Sequence, residues 1–156
     1  MELEGFLADS VVSAEGKLFV QGGAWNIVNV SEFPFRMPRC GIAIVVRVPY
    51  TATNQTHKFE LSLLDEDGGE FPLSDAPPGV EAVDGKIHRL GSDFNVGRPP
   101  TIEPGDEQLV ALAINIDGLT FENPGRYEFI AELDGSEAKR LPFRVALIPQ
   151  MAPVYR

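Results

Sequence analysis

The chain has 156 residues, 44% of them hydrophobic, and sets 23 acidic residues against 13 basic ones for a formal net charge of −10. Such a surface excludes nonspecific nucleic-acid binding, which needs cations to displace counterions from phosphate, and it disfavours anionic membranes for the same reason. Cys40 is the only cysteine, which excludes an intrachain disulfide.

The length suits one domain, 1–150, with a short tail at 151–156. The 13 prolines and 15 glycines are spread as punctuation, the pattern of many short strands joined by turns. The start, Met1-Glu2-Leu3-Glu4-Gly5, is acidic and has no apolar signal-type run, and no apolar stretch is long enough for a bilayer. Cytoplasmic residence is therefore the expectation.

In chain order, the first unit is a pair of strands around Glu15-Gly16, where glycine supplies the positive φ of a hairpin turn. Leu18 and Val20 alternate with Lys17, Phe19 and Gln21. Gly22-Gly23 then interrupts the strand, as at a bulge or a close backbone approach. The alternation resumes at Trp25 and Ile27. The kink is expected to turn Trp25, the only tryptophan, into the core. The rival reading is a ligand site with Trp25 over a glycine-floored groove.

Together with the later VGRPP and NPGRYEF segments, the run LADSVVSAEGKLFVQGGAWNIV resembles an uncharacterised family of small bacterial proteins. Its signatures are an N-terminal ADxxxxxxGKLxxxGGxW and a C-terminal PGRYxxxxxxDG hairpin. The resemblance covers nearly the whole chain and implies a bacterial origin and an immunoglobulin-like sandwich. It implies nothing about catalytic residues.

Residues 29–38, with Pro34 and Pro38, read as a crossover loop pinned by Phe33 and Phe35. From Cys40 to Val48 comes the most apolar strand, with Cys40, Ile42, Ile44, Val46 and Val48 on one face and Gly41, Ala43, Val45 and Arg47 on the other, a central strand by composition. Phe59, Leu61 and Leu63 define a strand with one wet face. It turns at Asp67-Gly68 and returns through Glu70-Phe71-Pro72-Leu73. Residues 74–85 read as loop and 87–96 as a weak strand, followed by the proline-bounded loop around Arg98. Leu109 to Ile116 is near-continuously apolar. Tyr127, Phe129, Ala131 and Leu133 face one way and, after Asp134-Gly135, are answered by Leu141, Phe143 and Val145. Gly125-Arg126-Tyr127 resembles the tyrosine corner of immunoglobulin-like sandwiches. The sum is an all-β chain: a single antiparallel β-sandwich, immunoglobulin-like, of about seven to nine strands.

Catalytic patterns are sparse. The nucleophile elbow, the P-loop and the dinucleotide-binding glycine pattern are absent. His57 and His88 read as solvated strand residues, and there are too few Cys and His for the common zinc sites. Asp65, Asp67 and Glu70 could offer oxygen ligands to Ca²⁺, although a tight turn explains the same residues more simply. Asp9, in an apolar strand, calls for a backbone amide or an arginine such as Arg98 if buried. Arg98 could also grip a carboxylate on a ligand. Trp25, Arg98 and Asp9 are thus the candidate ligand-binding residues. No cofactor and no catalytic residue is expected, and the protein reads as non-enzymatic. The leading expectation is an interaction module that self-associates or takes a protein partner, with no nucleic acid and no membrane. A small-ligand or Ca²⁺-binding sandwich is the alternative, and a hydrolase is the weakest reading.

Overall fold

Among the described residues, apolar alternation is realised as eleven strands: β1 (Glu2–Ala14), β2 (Lys17–Trp25), β3 (Ile27–Val30), β4 (Phe35–Pro49), β5 (Thr56–Leu64), β6 (Ser74–Asp75), β7 (Lys86–Ile87), β8 (Arg89–Asn95), β9 (Glu107–Phe121), β10 (Gly125–Leu133) and β11 (Ser136–Leu147). The computed structural model describes residues 1–149. The tail expected at 151–156 lies outside the described residues. The count exceeds the expected seven to nine because β3, β6 and β7 are too short for periodicity to reveal.

One sheet has the order β2-β1-β4-β9 and the other β3-β11-β10-β5-β8, with β6 and β7 as a separate two-stranded ribbon. All neighbours are antiparallel except β3 and β11, which are parallel. Cys40, Ile42, Ile44, Val46 and Val48 of β4 are buried against Leu61 and Leu63 of β5, Phe129 of β10 and Phe143 of β11, so one core joins both sheets. Burying a side chain such as Phe129 stabilises by about 2–3 kcal/mol, and this shared interior is the main stabilising term. As composition suggested, β4 is central, held between β1 and β9.

β1 pairs with β4 only from Glu2↔Arg47 to Ala8↔Gly41. Beyond that point the β1–β2 hairpin leaves the ladder and crosses the outer face of its own sheet toward β9. The small residues opposite the core face make this possible. A Cβ on Gly41 would lie 2.9 Å from Val11 Cγ2 and 3.2 Å from the Ala8 carbonyl oxygen, so glycine alone admits the hairpin backbone at this height. Val11, Ala8 and Ala43 form a second, small buried cluster there, with Leu18 and Ala113 packed against it. Val12 and Phe19, opposed in the hairpin, stay exposed.

Two expectations are corrected. The stretch read as loop up to Pro38 is strand from Phe35, with Met37↔Leu119 and Arg39↔Asp117 in register. β1 has already departed at Gly41, so that edge of β4 is free, the kind of position where a strand tolerates a proline. Tyr127 does not bond back to the backbone among the described residues. Its ring lies at 5.6 Å from Phe143 and 4.8 Å from Phe121, part of an aromatic cluster that replaces the expected tyrosine corner.

Candidate functional site

Trp25 and Asp9 do come together. The chain passes from one sheet to the other at Asn26, and the step between them opens a groove of about 540 Å³ lined by Asp9, Trp25, Asn29, Met37 and Arg39. Gly22, at φ +61°, lies under the Asp9 carboxylate, where a Cβ would stand 2.1 Å from Oδ2. Trp25 satisfies part of both readings. Its ring is half-buried and edge-on to Phe143 at 6.1 Å, so it braces the core, while another part walls the groove. Its Nε1 is buried without a hydrogen-bond partner among the described residues. The groove's cation, Arg39, is held bidentately by Asp117 at 2.7 and 3.2 Å.

Arg98 is not part of this groove. It sits by the opposite end of β4, with its guanidinium 3.9 Å from the centre of the Tyr50 ring, donating to Thr53 Oγ1 at 2.6 Å and to the Tyr50 carbonyl at 3.1 Å. The proposed Asp9–Arg98 partnership is thereby corrected. Asp9 is exposed, so water solvates its charge, and Arg98 has local acceptors that fix the loop after β8.

Asp65, Asp67 and Glu70 do not converge. Asp65 Oδ1 accepts from the backbone N–H groups of Asp67 and Gly69 at 3.0 and 2.9 Å, which closes the turn, while Glu70 reaches Arg89 at 3.0 Å. No group of three or more His, Cys, Asp or Glu placed to hold a metal ion occurs among the described residues.

His57 is the residue that sequence reasoning misplaced. It is buried, at 5% exposure, rather than solvated. Nδ1 is 2.8 Å from Asp134 Oδ2 and Nε2 is 2.7 Å from the Ala52 carbonyl oxygen. Both partners are acceptors, so both ring nitrogens donate and the ring is the imidazolium form. The Ala52 carbonyl first and the Asp134 carboxylate second hold its pKa above the ordinary histidine value. The amide of Lys58 and then His57 hold Asp134 below the usual carboxylate range. While it carries both protons, the ring has no lone pair to offer as a general base. Its signal was its parity, since His57 shares the core face with Phe59, Leu61 and Leu63.

Residues 5–146 match a family model described as Family of unknown function (DUF6941). The chain belongs to that family. No curated protein matches it. The DUF6941 span runs from the part of β1 that pairs with β4 to the penultimate residue of β11, and so takes in both sheets, the groove and the crossing hairpin.

Across this DUF6941 span the sheet edges differ in kind. β2 carries Lys17 and the Gly22-Gly23 irregularity, β3 has four residues, and β8 carries Arg89, Gly91 and Asp93. These are the devices by which natural sheets blunt an edge. β9 carries no such residue from Gln108 to Ile116, a run without charge, proline or glycine, although the β1–β2 hairpin is fastened to it at Ala111 and Asn115. It pairs only with β4, and its other edge has no strand partner among the described residues. Pro72–Asp75 approaches it only near Gly118 and Thr120, across a cleft of about 300 Å³. Val110, Leu112 and Ile114, which face the core, are only partly buried, and Leu109 on the outer face is 59% exposed. No helix among the described residues is long and apolar enough to cross a membrane.

Proposed function

We propose that this protein is a non-enzymatic interaction module that receives an extended segment of another polypeptide as an added strand along β9. The observation that supports this reading is the uncharged edge from Gln108 to Ile116, which has no strand partner among the described residues. An open edge offers a row of backbone donors and acceptors, and an added strand satisfies them while alternate side chains give selectivity. Val110, Leu112 and Ile114, left partly uncovered at this side of the sandwich, gain a neighbour on the core face.

The charge balance favours a partner over a second copy. Each chain carries −10, and two such surfaces repel, whereas Glu103 and Asp106, which precede β9 and have no salt-bridge partner among the described residues, attract a basic segment. The setting that goes with this reading is the cytoplasm, where the unpaired thiol of Cys40 stays reduced.

The test is amide hydrogen exchange on the intact protein with a synthetic peptide of alternating valine and lysine. A valine–glutamate peptide serves as the acidic control. The expected result is slowed exchange along β9 with the basic peptide only, weakened by Leu109→Lys. Protection elsewhere, or none, overturns the reading. So does a protein that dimerises through β9 by itself.

A further inference from the structure

A second surface carries an inference of its own. On the outer face of the other sheet, Arg126 of β10 stands directly opposite Arg144 of β11. Directly opposed strand residues have Cα atoms about 5 Å apart, and like charges so placed destabilise the pair. The remedy the rest of this face uses is absent here. Arg89 reaches Glu60, Glu70 and Glu132, and Arg140 reaches Glu128 and Glu137, yet neither Arg126 nor Arg144 has a carboxylate within 4.0 Å of its guanidinium among the described residues.

The two arginines line a cavity of about 800 Å³, and an adjoining cleft of about 430 Å³ shares them. Three carboxylates also line the cavity, and each is engaged elsewhere. Asp65 closes its own turn, Glu66 accepts the Arg126 backbone N–H at 2.7 Å, and Glu128 is paired with Arg140. Asp65 and Glu66 each keep one carboxylate oxygen without a partner among the described residues, but neither lies within 4.0 Å of a guanidinium, so both arginines keep free donors. Beside the arginines on the same face lie Ile27, 45% exposed, and Pro142, while Tyr127 and Phe143 turn their rings into the core.

We infer that this cavity binds a small organic anion, with a carboxylate or phosphate head gripped between Arg126 and Arg144 and an apolar body against Ile27 and Pro142. A planar fork from each side suits two or three anionic oxygens, and the bound charge removes the repulsion between the strands. Charges more than about 8 Å away are largely screened at physiological ionic strength, so the distant acidity does not oppose this, and Asp65 and Glu66 in the lining are the negative charges the bound anion has to share the cavity with. The site is on the other sheet from β9, and its success or failure is independent of the strand-addition reading.

The experiment titrates the intact protein with phenyl phosphate and 3-phenylpropionate, followed by calorimetry and by amide chemical shifts. Inorganic phosphate and phenethylamine report on head and body separately. The expected result is saturable binding of both aromatic anions and none of the amine, with shifts centred on residues 126–128 and 142–144. Inorganic phosphate should bind at least about tenfold more weakly, the worth of burying a few methylene equivalents. Arg126→Gln with Arg144→Gln should abolish binding and leave the melting temperature unchanged or raised, and Arg89→Gln, whose carboxylate partners lie outside the cavity, should leave binding intact. Absence of saturable binding, binding that survives the double substitution, or equal affinity for inorganic phosphate would each overturn the inference.

Discussion

Asn115 takes over both backbone groups of Val11, a residue 104 positions away: its Oδ1 accepts the Val11 N–H at 3.0 Å and its Nδ2 donates to the Val11 carbonyl at 2.7 Å. One side chain thus imitates a strand neighbour and fastens the crossing hairpin to β9. Ser13 Oγ adds a longer bond, 3.4 Å, to the Ala111 carbonyl. Asn115→Leu removes both bonds. The expected cost is about 1–3 kcal/mol by urea unfolding, as for leaving backbone groups unsatisfied at a part-buried site. Faster exchange of the Val11 amide in the folded protein would place the loss in the hairpin. Unchanged exchange there would sink this assignment.

Gly41→Val tests the same crossing from below. The added side chain meets the Ala8 carbonyl and the Ser10 backbone, which cannot swing aside as a flexible side chain can. Overpacking of this kind costs about 1–3 kcal/mol. The expected structural result is a lifted hairpin with Val11 and Leu18 exposed to solvent, visible in their methyl shifts, while the core around Phe129 stays as it was.

The His57–Asp134 pair gives stability a defined pH window. With its folded pKa raised, His57 contributes fully below the unfolded value near 6.5, and the contribution is lost as pH rises through the folded pKa. With its folded pKa lowered, Asp134 contributes above its ordinary value of 3.8, and the contribution is lost as pH falls toward the folded pKa. Urea midpoints measured across pH should therefore be highest, from this pair, between those limits. His57→Phe keeps the ring contact with Phe94. It should flatten the decline above pH about 6.5 and destabilise at pH 6 by about 1–3 kcal/mol, having left the Ala52 carbonyl and Asp134 without their donor.

Cys40 is fully buried, and burial, with a smaller push from the Asp9 charge, drives its thiol up to about 12. Thiolate is the reactive form, so the folded protein should resist iodoacetamide near pH 8 and label only on unfolding. Labelling that tracks the urea transition would make Cys40 a reporter of the whole sandwich. Rapid labelling without denaturant would contradict its burial.

How much could be read beforehand follows from what alternation encodes. It tells which side of a strand is wet, and so the core faces of β4, β5, β10 and β11 were legible from Ile42, Leu61, Phe129 and Phe143. The same parity pointed to His57, and polar neighbours at Thr56 and Lys58 masked it. Alternation does not tell which strand lies beside which. That β9 is an edge depends on β4, some 70 positions earlier in the chain, being its sole neighbour. The opposition of Arg126 and Arg144 depends on a register shift between Ala131 and Glu132 that slides one strand of the hairpin past the other by a residue. Trp25 and Asp9 meet because the hairpin bends over its own sheet at Gly41, a tertiary event with no local signature beyond the glycine itself.

The parallel pairing of β3 with β11 has a consequence for synthesis. Val28 and Val30 emerge from the ribosome early, but their ladder partners, Val145 and Leu147, come more than a hundred residues later. Over that interval the nascent chain holds one of its four outermost strands unmatched, and any premature stop within β11 leaves it so permanently. Translation must therefore run almost to residue 147 before the β3-β11-β10-β5-β8 sheet can close, and the time spent waiting is when a chaperone would have most to shield.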